Sequence, residues 1–239
     1  MPILKKALVT GAAKGIGRAI VLDLASIGFD VVIHYNRSQE DAEEVSLLAA
    51  AYGVKALTLQ ADLSNAEQAA GLVETAAQKL EGISVVVNNV GNYLKKPIER
   101  VSVEEWHDIL NTNLNATFYV TQTALPHLKA AGWGRIVNLG FAGAQDLIAR
   151  PLIAPYAIAK TGIILYTKAL AKELAPYNIT ANVVSPGVVE TSVSQPLEQI
   201  PFSRPATLTE MVRAVNFFID VESDYFTGQV VEVAGGWNL

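Results

Sequence analysis

The stretch Leu4–Ile27, LKKALVTGAAKGIGRAIVLDLASI, sets out a strand, a glycine-rich turn and a helix in close succession. Leu4–Val9 is a short, largely apolar run, and the glycine-rich segment Gly11–Gly17 follows at once. Apolar residues then recur with helical spacing from Arg18 to Ile27. Glycines allow the backbone to approach a phosphate group, and the free N–H groups at a helix start attract an anion. This context favours a dinucleotide-binding turn over an ordinary tight turn.

Strand-like and helix-like segments alternate from this stretch to the end of the 239-residue chain. No linker, repeat or low-complexity tract interrupts them, so a single domain covering residues 1–239 is expected. Parallel strands joined by right-handed helical crossovers predict an α/β fold, a doubly wound Rossmann-type parallel sheet with helices on both faces. Residues 188–206 are predicted to form a loop or short lid. The later strands are expected at Asp30–Tyr35, Val54–Gln60, Ser84–Asn88, Gly134–Leu139, Ile179–Ser185 and Gln229–Val233.

Three capping boxes mark helix starts along the chain. In each, a Ser or Thr precedes a Glu by three residues, and each side chain accepts a hydrogen bond from the backbone N–H of the other residue. The second box opens a long helical region that runs through Asn113 to Lys129. Asn113 is a poor helix former, which indicates a kink or a polar role in the interior. The pairs are Ser64 with Glu67, Ser102 with Glu105, and Thr207 with Glu210.

The composition indicates a compact globular protein and argues against several classes of function. Hydrophobic residues make up 51% of the chain and charged residues 17%, which is not the composition of a disordered chain. The net charge of -5 gives no reason to expect nucleic acid or an anionic membrane as a partner. There is no cysteine, and the three histidines lack metal-ligand spacing, so no metal site is predicted. Neither a signal peptide nor a membrane-spanning run is found, and a cytoplasmic location is expected.

The end of the second predicted strand bears on the choice of nicotinamide cofactor. An NAD-type site usually has an acidic residue here that binds the ribose 2′-hydroxyl, but residues 34–37 supply no carboxylate. Arg37, Ser38 and Lys14 are candidates to converge on a 2′-phosphate, which planar guanidinium donors suit. The alternative is that Arg37 is an ordinary solvated loop residue. Asp62, just past the third strand, either accepts from an adenine amine or is a turn carboxylate.

The segment Ile153–Leu174 predicts one long helix, because its apolar residues recur every three or four positions. Tyr156 and Lys160 are four residues apart and therefore lie on one face, one turn apart. A phenol ordinarily holds its proton to a pH of about 10, but a fixed cation nearby favours the phenolate. The pair is a candidate acid/base for a carbonyl or alcohol substrate, although Tyr-x-x-x-Lys is also a frequent pattern on helix surfaces.

Five signals, in order and spacing, resemble the short-chain dehydrogenase/reductase family, most closely its 3-oxoacyl-(acyl-carrier-protein) reductase-like branch. Each is weak alone, but together they span nearly the whole chain. The resemblance implies an NADPH-dependent oxidoreductase that reduces a ketone, 3-oxoacyl thioester-like or other, to an alcohol. The signals are Thr10-Gly-x-x-x-Gly-x-Gly17, Asn88-Asn-Val-Gly91, Asn113, Tyr156-x-x-x-Lys160, and Pro186-Gly187 with Thr191 following.

The resemblance also implies roles for individual residues. Tyr156 is expected to be the acid/base, Lys160 to lower its pKa and hold the nicotinamide ribose, and Asn113 to hold a water that relays protons to bulk solvent. The remaining expected roles concern the cofactor, NADPH or NADP. They are Gly11, Lys14, Gly15, Ile16 and Gly17 at the pyrophosphate and ribose, Lys14, Arg37 and Ser38 as NADP selectors, Asp62 and Leu63 at adenine, Asn89 and Gly91 at the middle of the cofactor, and Pro186, Gly187, Val189 and Thr191 at nicotinamide.

One departure from the family pattern concerns a catalytic serine. The family normally places it on the loop after the fifth strand, in a Gly-Ser-x-x-Gly run, and this chain has Phe141 there. A phenyl ring cannot hydrogen-bond a substrate carbonyl; by analogy with a lost oxyanion donor, this costs about 2.7 to 4 kcal/mol, or roughly 10² to 10³ in rate. The interval to Tyr156 is also longer than usual, and Gln145 or Asp146 is a candidate replacement. The lid is shorter than usual, which leaves the substrate cleft more open.

Two hypotheses of function follow. The first is an NADPH-dependent carbonyl reductase that acts on a small-molecule or acyl-carrier-linked carbonyl substrate. The second is an NADP-binding protein with weak or no reductase activity, which acts as a sensor or assembly partner. The intact Tyr156, Lys160 and Asn113 favour the first hypothesis, and Phe141 favours the second.

Oligomerisation is expected because members of the resembled family are mostly tetramers. Their interfaces imply that the long helices near Asn113 and Tyr156 and the C-terminal strand are buried between subunits. The sequence itself only hints at this, because the apolar residues of Val230–Val233 and the ending at Leu239 suit a buried edge. A homotetramer or homodimer is therefore expected.

Overall fold

The structure, a computed structural model, describes residues 3–237 and contains seven strands and seven α-helices within that range. The strands are β1 (Lys6–Val9), β2 (Asp30–Tyr35), β3 (Ala56–Gln60), β4 (Val85–Asn88), β5 (Gly134–Leu139), β6 (Ile179–Pro186) and β7 (Val230–Val233). The helices are α1 (Gly15–Ser26), α2 (Gln39–Ala50), α3 (Ala66–Leu80), α4 (Val103–Leu110), α5 (Ala116–Ala131), α6 (Ala154–Leu174) and α7 (Leu208–Ile219).

The seven strands form one parallel sheet in the order β3-β2-β1-β4-β5-β6-β7. The chain builds outward from β1 to β3, returns to place β4 on the other side of β1, and continues outward to β7. This order confirms the predicted single-domain, doubly wound Rossmann-type sheet. Ligands of such sheets bind at the carboxyl ends of the strands where the winding direction reverses, which here is the crevice between β1 and β4.

The helices cover both faces of the sheet, and successive strand residues point to opposite faces. On one face, α1, α2 and α7 pack on strand residues such as Val9, Ile33 and Val137. On the other face, α3, α5 and α6 pack on residues such as Leu8 and Ile136. Because both faces are buried, the strands read as continuous apolar runs in the sequence.

The long helical region around Asn113 is interrupted, as its composition predicts. A π-helical turn, Asn111–Asn115, joins α4 to α5. Such turns widen the helix locally and are frequent at functional sites. The interruption places the Asn113 side chain in the interior, where it is fully buried.

Two of the three predicted capping boxes are confirmed and one is wrong. Ser102 with Glu105 caps α4, and Thr207 with Glu210 caps α7. At α3 the N-cap residue is Asn65, whose side chain accepts from the next backbone N–H groups. The predicted cap Ser64 instead donates its hydroxyl to Asp62 at 2.7 Å, because the carboxylate is the stronger local acceptor.

The sheet edge proposed for subunit contact lies partly in the described residues. Val230–Val233 forms β7, an edge strand whose residues are half-buried. Leu239, the other residue predicted at this edge, lies outside the described residues. Between residues 3 and 237, no helix has both the length and the apolar character needed to cross a membrane.

Candidate active site

Tyr156 and Lys160 lie in the first two turns of α6, which has Pro155 in its first turn. Proline suits that place because a first-turn N–H has no partner within the helix. The i, i+4 spacing puts both side chains on one face, with Lys160 Nζ 5.7 Å from the centre of the Tyr156 ring. The structure thus brings together the two residues that their sequence spacing selects.

Burial sets the properties of Lys160. Its side chain is 4% exposed, and Nζ donates a hydrogen bond to the carbonyl oxygen of Leu139 at 2.8 Å. Burial lowers the pKa of this ammonium from 10.5 to about 8, because the charged form loses solvation. The backbone at the end of β5 therefore holds the amine at the carboxyl edge of the sheet.

The pKa of Tyr156 differs from the sequence-based expectation. A nearby cation is expected to lower it, but in this structure the pKa of the phenol is raised above its ordinary value. The main cause is burial, and the neighbouring Tyr93 adds to the rise; the two rings meet edge to face with centroids 5.1 Å apart. Because the Lys160 ammonium points to Leu139, burial dominates and the phenol keeps its proton.

Asn113 and Gly91 complete the polar group around Lys160. Asn113 Nδ2 donates to two oxygens of Asn92, at 3.1 and 2.9 Å, while its buried Oδ1 has no hydrogen-bond partner among the described residues. A Cβ at position 91 would lie 2.4 Å from that oxygen and 3.5 Å from Lys160 Nζ. Glycine is therefore required here so that the chain can pass both groups. A buried acceptor of this kind is suited to bind an ordered water.

The glycine-rich turn after β1 is closed by contacts that larger residues would prevent. Gly11 and Gly15 have φ values of +60° and +54°, a region that favours glycine. A Cβ on Gly17 would lie 2.3 Å from the Gly11 carbonyl oxygen. Asn89 Nδ2 donates to the carbonyl oxygens of Thr10 and Gly11 at 3.1 and 2.9 Å. The turn leads into α1, in which Ile16 is half-buried, and the N-terminus of this helix suits a phosphate.

A cavity of about 260 Å³ opens beside this turn. Ser38 occupies the N-cap position of α2, but its side chain makes no capping hydrogen bond. Lys14 pairs with Asp41 at 2.9 Å, which offsets part of its charge. Arg37 lies close enough to Asp62 to contribute to the lowered pKa of that carboxyl. The hydroxyl of Ser38, the cations of Lys14 and Arg37, and the N-terminus of α2 together suit a 2′-phosphate. The cavity is lined by Gly11, Ala13, Lys14, Tyr35, Asn36, Arg37 and Ser38.

Asp62 and Leu63 follow β3, as predicted. Asp62 Oδ1 accepts from the backbone N–H of Ser64 at 3.0 Å and from its hydroxyl at 2.7 Å. These bonds are the main cause of the lowered pKa of Asp62. One carboxylate oxygen therefore belongs to the turn. Leu63 is buried beside it.

The segment after β6 lies at the same edge of the sheet. The Pro186 carbonyl oxygen accepts from the N–H of Ala142 at 3.0 Å, which ties this segment to the loop after β5. Val189 is buried and forms an isolated bridge with Ala206. A Cβ on Gly15 would lie 3.8 Å from Thr191 Oγ1, so Thr191 stands over the glycine-rich turn. The residues predicted at nicotinamide are Pro186, Gly187, Val189 and Thr191.

These observations describe a cleft whose shape suits a dinucleotide, with the glycine-rich turn in the middle and a buried Tyr–Lys pair at one end. The sequence profile of the short chain dehydrogenase family matches residues 5–200, which is most of the chain. The chain belongs to the short-chain dehydrogenase family.

Relatives within the short-chain dehydrogenase family match over nearly the full length. The 3-oxoacyl-[acyl-carrier-protein] reductase FabG of Staphylococcus aureus is 34% identical, with 99% of both chains covered. The enzyme of the same name from Aquifex aeolicus is 37% identical, covering 97% of this chain and 96% of its own. A short chain dehydrogenase from Burkholderia cenocepacia J2315, solved in complex with NADP, has a TM-score of 0.93 at 30% identity, with 99% of both chains covered.

Phe141 lies where the short-chain dehydrogenase pattern predicts a serine, at the start of the loop after β5. The ring is buried and packs edge-on against Tyr156, with centroids 5.4 Å apart, and against Trp237 at 6.1 Å. Ile164 and Val183 complete this cluster. The neighbourhood of the phenol on this side is therefore apolar.

The longer loop does not direct its first polar side chain toward Tyr156. Gln145 Nε2 donates to Glu232 Oε1 at 3.3 Å, and both Gln145 and Asp146 are exposed. Thr161 Oγ1 donates to the Ala144 carbonyl oxygen at 2.8 Å and anchors the loop to α6. In this conformation Gln145 is engaged by Glu232 and does not take the place of the missing hydroxyl.

His34 is a structural contributor that sequence reasoning missed. It is 1% exposed, and burial lowers its pKa to about 4, so the ring is neutral. Its Nδ1 accepts from the N–H of Gly11 at 3.0 Å, and its Nε2 lies 3.0 Å from the Ala61 carbonyl oxygen. Those two partners fix the tautomer with the proton on Nε2. The ring thereby ties the turn after β1 to the turn after β3.

Glu232 on β7 is a second contributor without a signal in the sequence. Its Oε1 accepts from the backbone N–H of Gly143 at 2.8 Å as well as from Gln145. Gly143 has a φ of +77°, so its N–H direction is one that glycine readily supplies. Glu232 therefore fixes the loop that carries Phe141 from the far side of β6.

Proposed function

We propose that this protein is an NADPH-dependent carbonyl reductase that converts a ketone to an alcohol, with Tyr156 as the proton donor. One observation carries the proposal. Tyr156, Lys160, Asn113 and Gly91 meet at the carboxyl edge of the sheet, where the glycine-rich turn also lies. The two FabG relatives and the NADP-bound neighbour support this function.

The cofactor choice rests on the cavity beside the glycine-rich turn. Lys14, Arg37 and Ser38 line it and are suited to hold a 2′-phosphate, while Asp62 and Leu63 lie where adenine is expected. A bound NADPH supplies the hydride that such a reaction requires. The residues of the chain bind the cofactor, orient the ketone and handle the proton.

The proton is handled by Tyr156, Lys160 and Asn113. A buried, protonated phenol is a suitable donor to the oxygen of a ketone as that oxygen gains negative charge. Lys160, held by Leu139, supplies positive charge on the same helix face and favours the phenolate that remains. Asn113, whose Oδ1 has no hydrogen-bond partner in the described part of the chain, is suited to hold the water through which the phenolate is reprotonated.

The substrate is proposed to be a ketone, either 3-oxoacyl thioester-like or another carbonyl compound. The names of the FabG relatives support an acyl-carrier-linked substrate. Residues 188–206 are proposed to cover the cleft as a short lid. The tip of this segment is open to solvent, since Val193 is fully exposed.

We also propose that the protein is a homotetramer or homodimer assembled through α5 and α6. Apolar side chains on the outer faces of these helices support this arrangement: Phe118 is 44% exposed and Leu165 is 71% exposed. Large apolar side chains grouped on two adjacent helices suit a subunit interface. Light scattering of the parent and of Leu165→Glu tests the assembly, with a smaller particle expected for the variant.

A second function is favoured by Phe141. Its buried ring occupies the place of the expected serine and contacts Tyr156 directly. A protein that binds NADP but reduces ketones weakly or not at all, and acts as a sensor or assembly partner, is consistent with that contact.

Oxidation of NADPH in the presence of 3-oxoacyl thioesters and activated ketones separates the two functions. The reductase is expected to turn over at least one ketone, and Tyr156→Phe is expected to abolish that turnover. Full activity of Tyr156→Phe contradicts the assignment of the proton donor. NADPH binding without turnover of any ketone supports the second function.

The cofactor preference has its own test. Arg37→Ala is expected to weaken NADPH binding at least tenfold and to leave NADH binding unchanged, because only NADPH carries the 2′-phosphate. Arg213→Ala is a matched control that removes the same charge from an exposed position on α7. Tighter binding of NADH than of NADPH by the parent contradicts the 2′-phosphate assignment.

A further inference from the structure

Arg150 is a half-buried cation for which the described part of the chain supplies no counter-charge. It lies in the loop between β5 and α6, six residues before Tyr156. Within residues 3–237, its guanidinium takes part in no hydrogen bond or ion pair; its one side-chain contact of this kind is with the face of Phe141, 5.1 Å from the ring centre. A partly buried guanidinium normally engages a carboxylate or a carbonyl oxygen. Its five N–H donors are therefore available to a ligand.

The position of Arg150 is fixed by the backbone on both sides of the cleft. The N–H of Lys96 donates to the Leu152 carbonyl oxygen at 2.7 Å, and the N–H of Ile98 donates to the Pro151 carbonyl oxygen at 3.0 Å. These bonds fasten the loop after β5 to the segment after β4. Arg150 is thus presented from an anchored part of the chain and not from a loose loop tip.

The guanidinium lies close to the proposed proton donor. It is 5.1 Å from the Phe141 ring centre, and that ring is 5.4 Å from the ring of Tyr156. Arg150 also acts on Tyr93, the other aromatic neighbour of Tyr156: burial raises the pKa of Tyr93, and the positive charge of Arg150 opposes that rise. The cation and the phenol are therefore separated by little more than one aromatic ring.

Apolar side chains are exposed on the loop that carries Arg150 and at Tyr93, which contacts Tyr156. Tyr93 is 58% exposed, and Leu147, Ile148 and Leu152 on the same loop also show much of their surface. Aromatic and aliphatic walls of this kind bind a planar apolar group.

We propose that Arg150 is a substrate-binding residue that selects aromatic keto acids, in which a carboxylate lies about one ring away from the reducible ketone. The inference rests on the proposed function and names its substrate class. The carboxylate pairs with the guanidinium, the ring lies against Phe141 and Tyr93, and the ketone oxygen accepts the proton of Tyr156. Hydride addition breaks the C=O π bond and the phenolic proton completes the alcohol, so the carboxylate is unchanged by the reaction.

The phosphate of a carrier arm is another source of negative charge. In an acyl thioester on such an arm, many single bonds separate the phosphate from the reducible ketone, so the anion cannot sit one ring away from it without folding back. The short distance between Arg150 and Tyr156 favours a carboxylate on the substrate itself. The experiment distinguishes the two sources.

The test compares 4-acetylbenzoate with its methyl ester, which differ in charge but share the ring and the ketone. We expect the parent to prefer the acid in kcat/KM, and Arg150→Gln to lower the acid-to-ester ratio by about ten- to a hundredfold, the range of a charge-assisted hydrogen bond. Arg150→Lys should keep part of the preference. Arg213→Gln, a matched loss of charge on α7, should leave the ratio unchanged. Calorimetry should show weaker 4-acetylbenzoate binding by Arg150→Gln.

Four results overturn the inference. An acid-to-ester ratio that does not change in Arg150→Gln excludes recognition of the carboxylate by this residue. A loss of kcat/KM confined to acetoacetyl-coenzyme A in that variant assigns Arg150 to the carrier phosphate. If aliphatic ketones are reduced but neither aromatic compound is, the substrate class is wrong and the proposed reductase function stands. If NADPH binds and no ketone of any kind is reduced, the proposed function falls and the inference falls with it.

Discussion

The Phe141 ring lies edge-on to the Tyr156 ring, with 5.4 Å between the centroids and 70° between the planes. This geometry is the favoured one for an aromatic pair, so Phe141 is packed as a core residue on the proposed proton donor. A phenyl ring supplies no hydrogen-bond donor at this position. The proposed reductase therefore relies on the Tyr156 hydroxyl as its proton donor.

Phe141→Ser is expected to raise kcat for a small activated ketone. If the new hydroxyl reaches the carbonyl oxygen, the gain approaches the roughly 10² to 10³ associated with one oxyanion donor. Phe141→Ala is the matched control, because it opens the same space without a hydroxyl and should show no such gain. Both variants should lose about 3 to 5 kcal/mol of unfolding free energy from the cavity. An equal kcat increase in both variants attributes the effect to space alone.

The order of strands and helices along the chain was predictable because each element is marked by apolar residues and turn residues within its own segment. β2 and β5 have the bounds that their apolar runs predict, Asp30–Tyr35 and Gly134–Leu139. Each run has an apolar centre and is bounded by turn residues, which leaves little freedom in its ends. The predicted N-cap of α3, Ser64, was wrong because its hydroxyl donates to Asp62 instead. A capping motif in the sequence does not reveal such a competing contact.

Lys160 should make the stability of the cofactor-free protein depend on alkaline pH. Its folded pKa of about 8 lies below the unfolded value of 10.5, so between these values the unfolded chain binds more protons and stability rises with pH. Between pH 7.5 and 9.5 the titration of Lys160 raises the free energy of unfolding by roughly 2 kcal/mol. Denaturant unfolding of the parent and of Lys160→Met at both pH values measures it. The same pH dependence in both proteins would show that Lys160 is solvated.

Glu232 should matter for activity through the loop that carries Phe141. Glu232→Ala leaves the N–H of Gly143 without its acceptor, and we expect a loss of about 1 to 3 kcal/mol of unfolding free energy together with a lower kcat. Glu232→Gln keeps an acceptor oxygen and should restore most of both quantities. NADPH affinity should be unchanged in both variants, since this contact lies away from the glycine-rich turn. A kcat that is the same in Glu232→Ala and the parent contradicts the proposed positioning.

The contacts of the site could be predicted where the residues are close in sequence, and could not be predicted where the residues are far apart in sequence. The four-residue spacing of Tyr156 and Lys160 fixes their common helix face. The bond between His34 and Gly11 spans 23 residues, and the bond between Glu232 and Gly143 spans 89. Both bonds depend on which strands are neighbours in the sheet, and the strand order cannot be inferred from either local segment of the sequence. The raised pKa of Tyr156 likewise depends on burial by residues distant in sequence and on the electrostatic effect of Tyr93.

His34 gives the clearest prediction in acid. Its pKa is lowered to about 4 in the folded protein against an ordinary value of 6.5, so the unfolded chain binds more protons between these values and stability falls as the pH falls through this range. From pH 7 to pH 4 the titration of His34 lowers the free energy of unfolding by about 3 kcal/mol. His34→Leu should lack this loss of stability, while Asp62 still titrates. The variant should also raise the KM for NADPH more than it lowers kcat, because the N–H of Gly11 loses the acceptor that holds the glycine-rich turn. Unfolding curves at both pH values and steady-state kinetics provide the measurements, and an unchanged acid dependence in the variant would assign the effect to other groups.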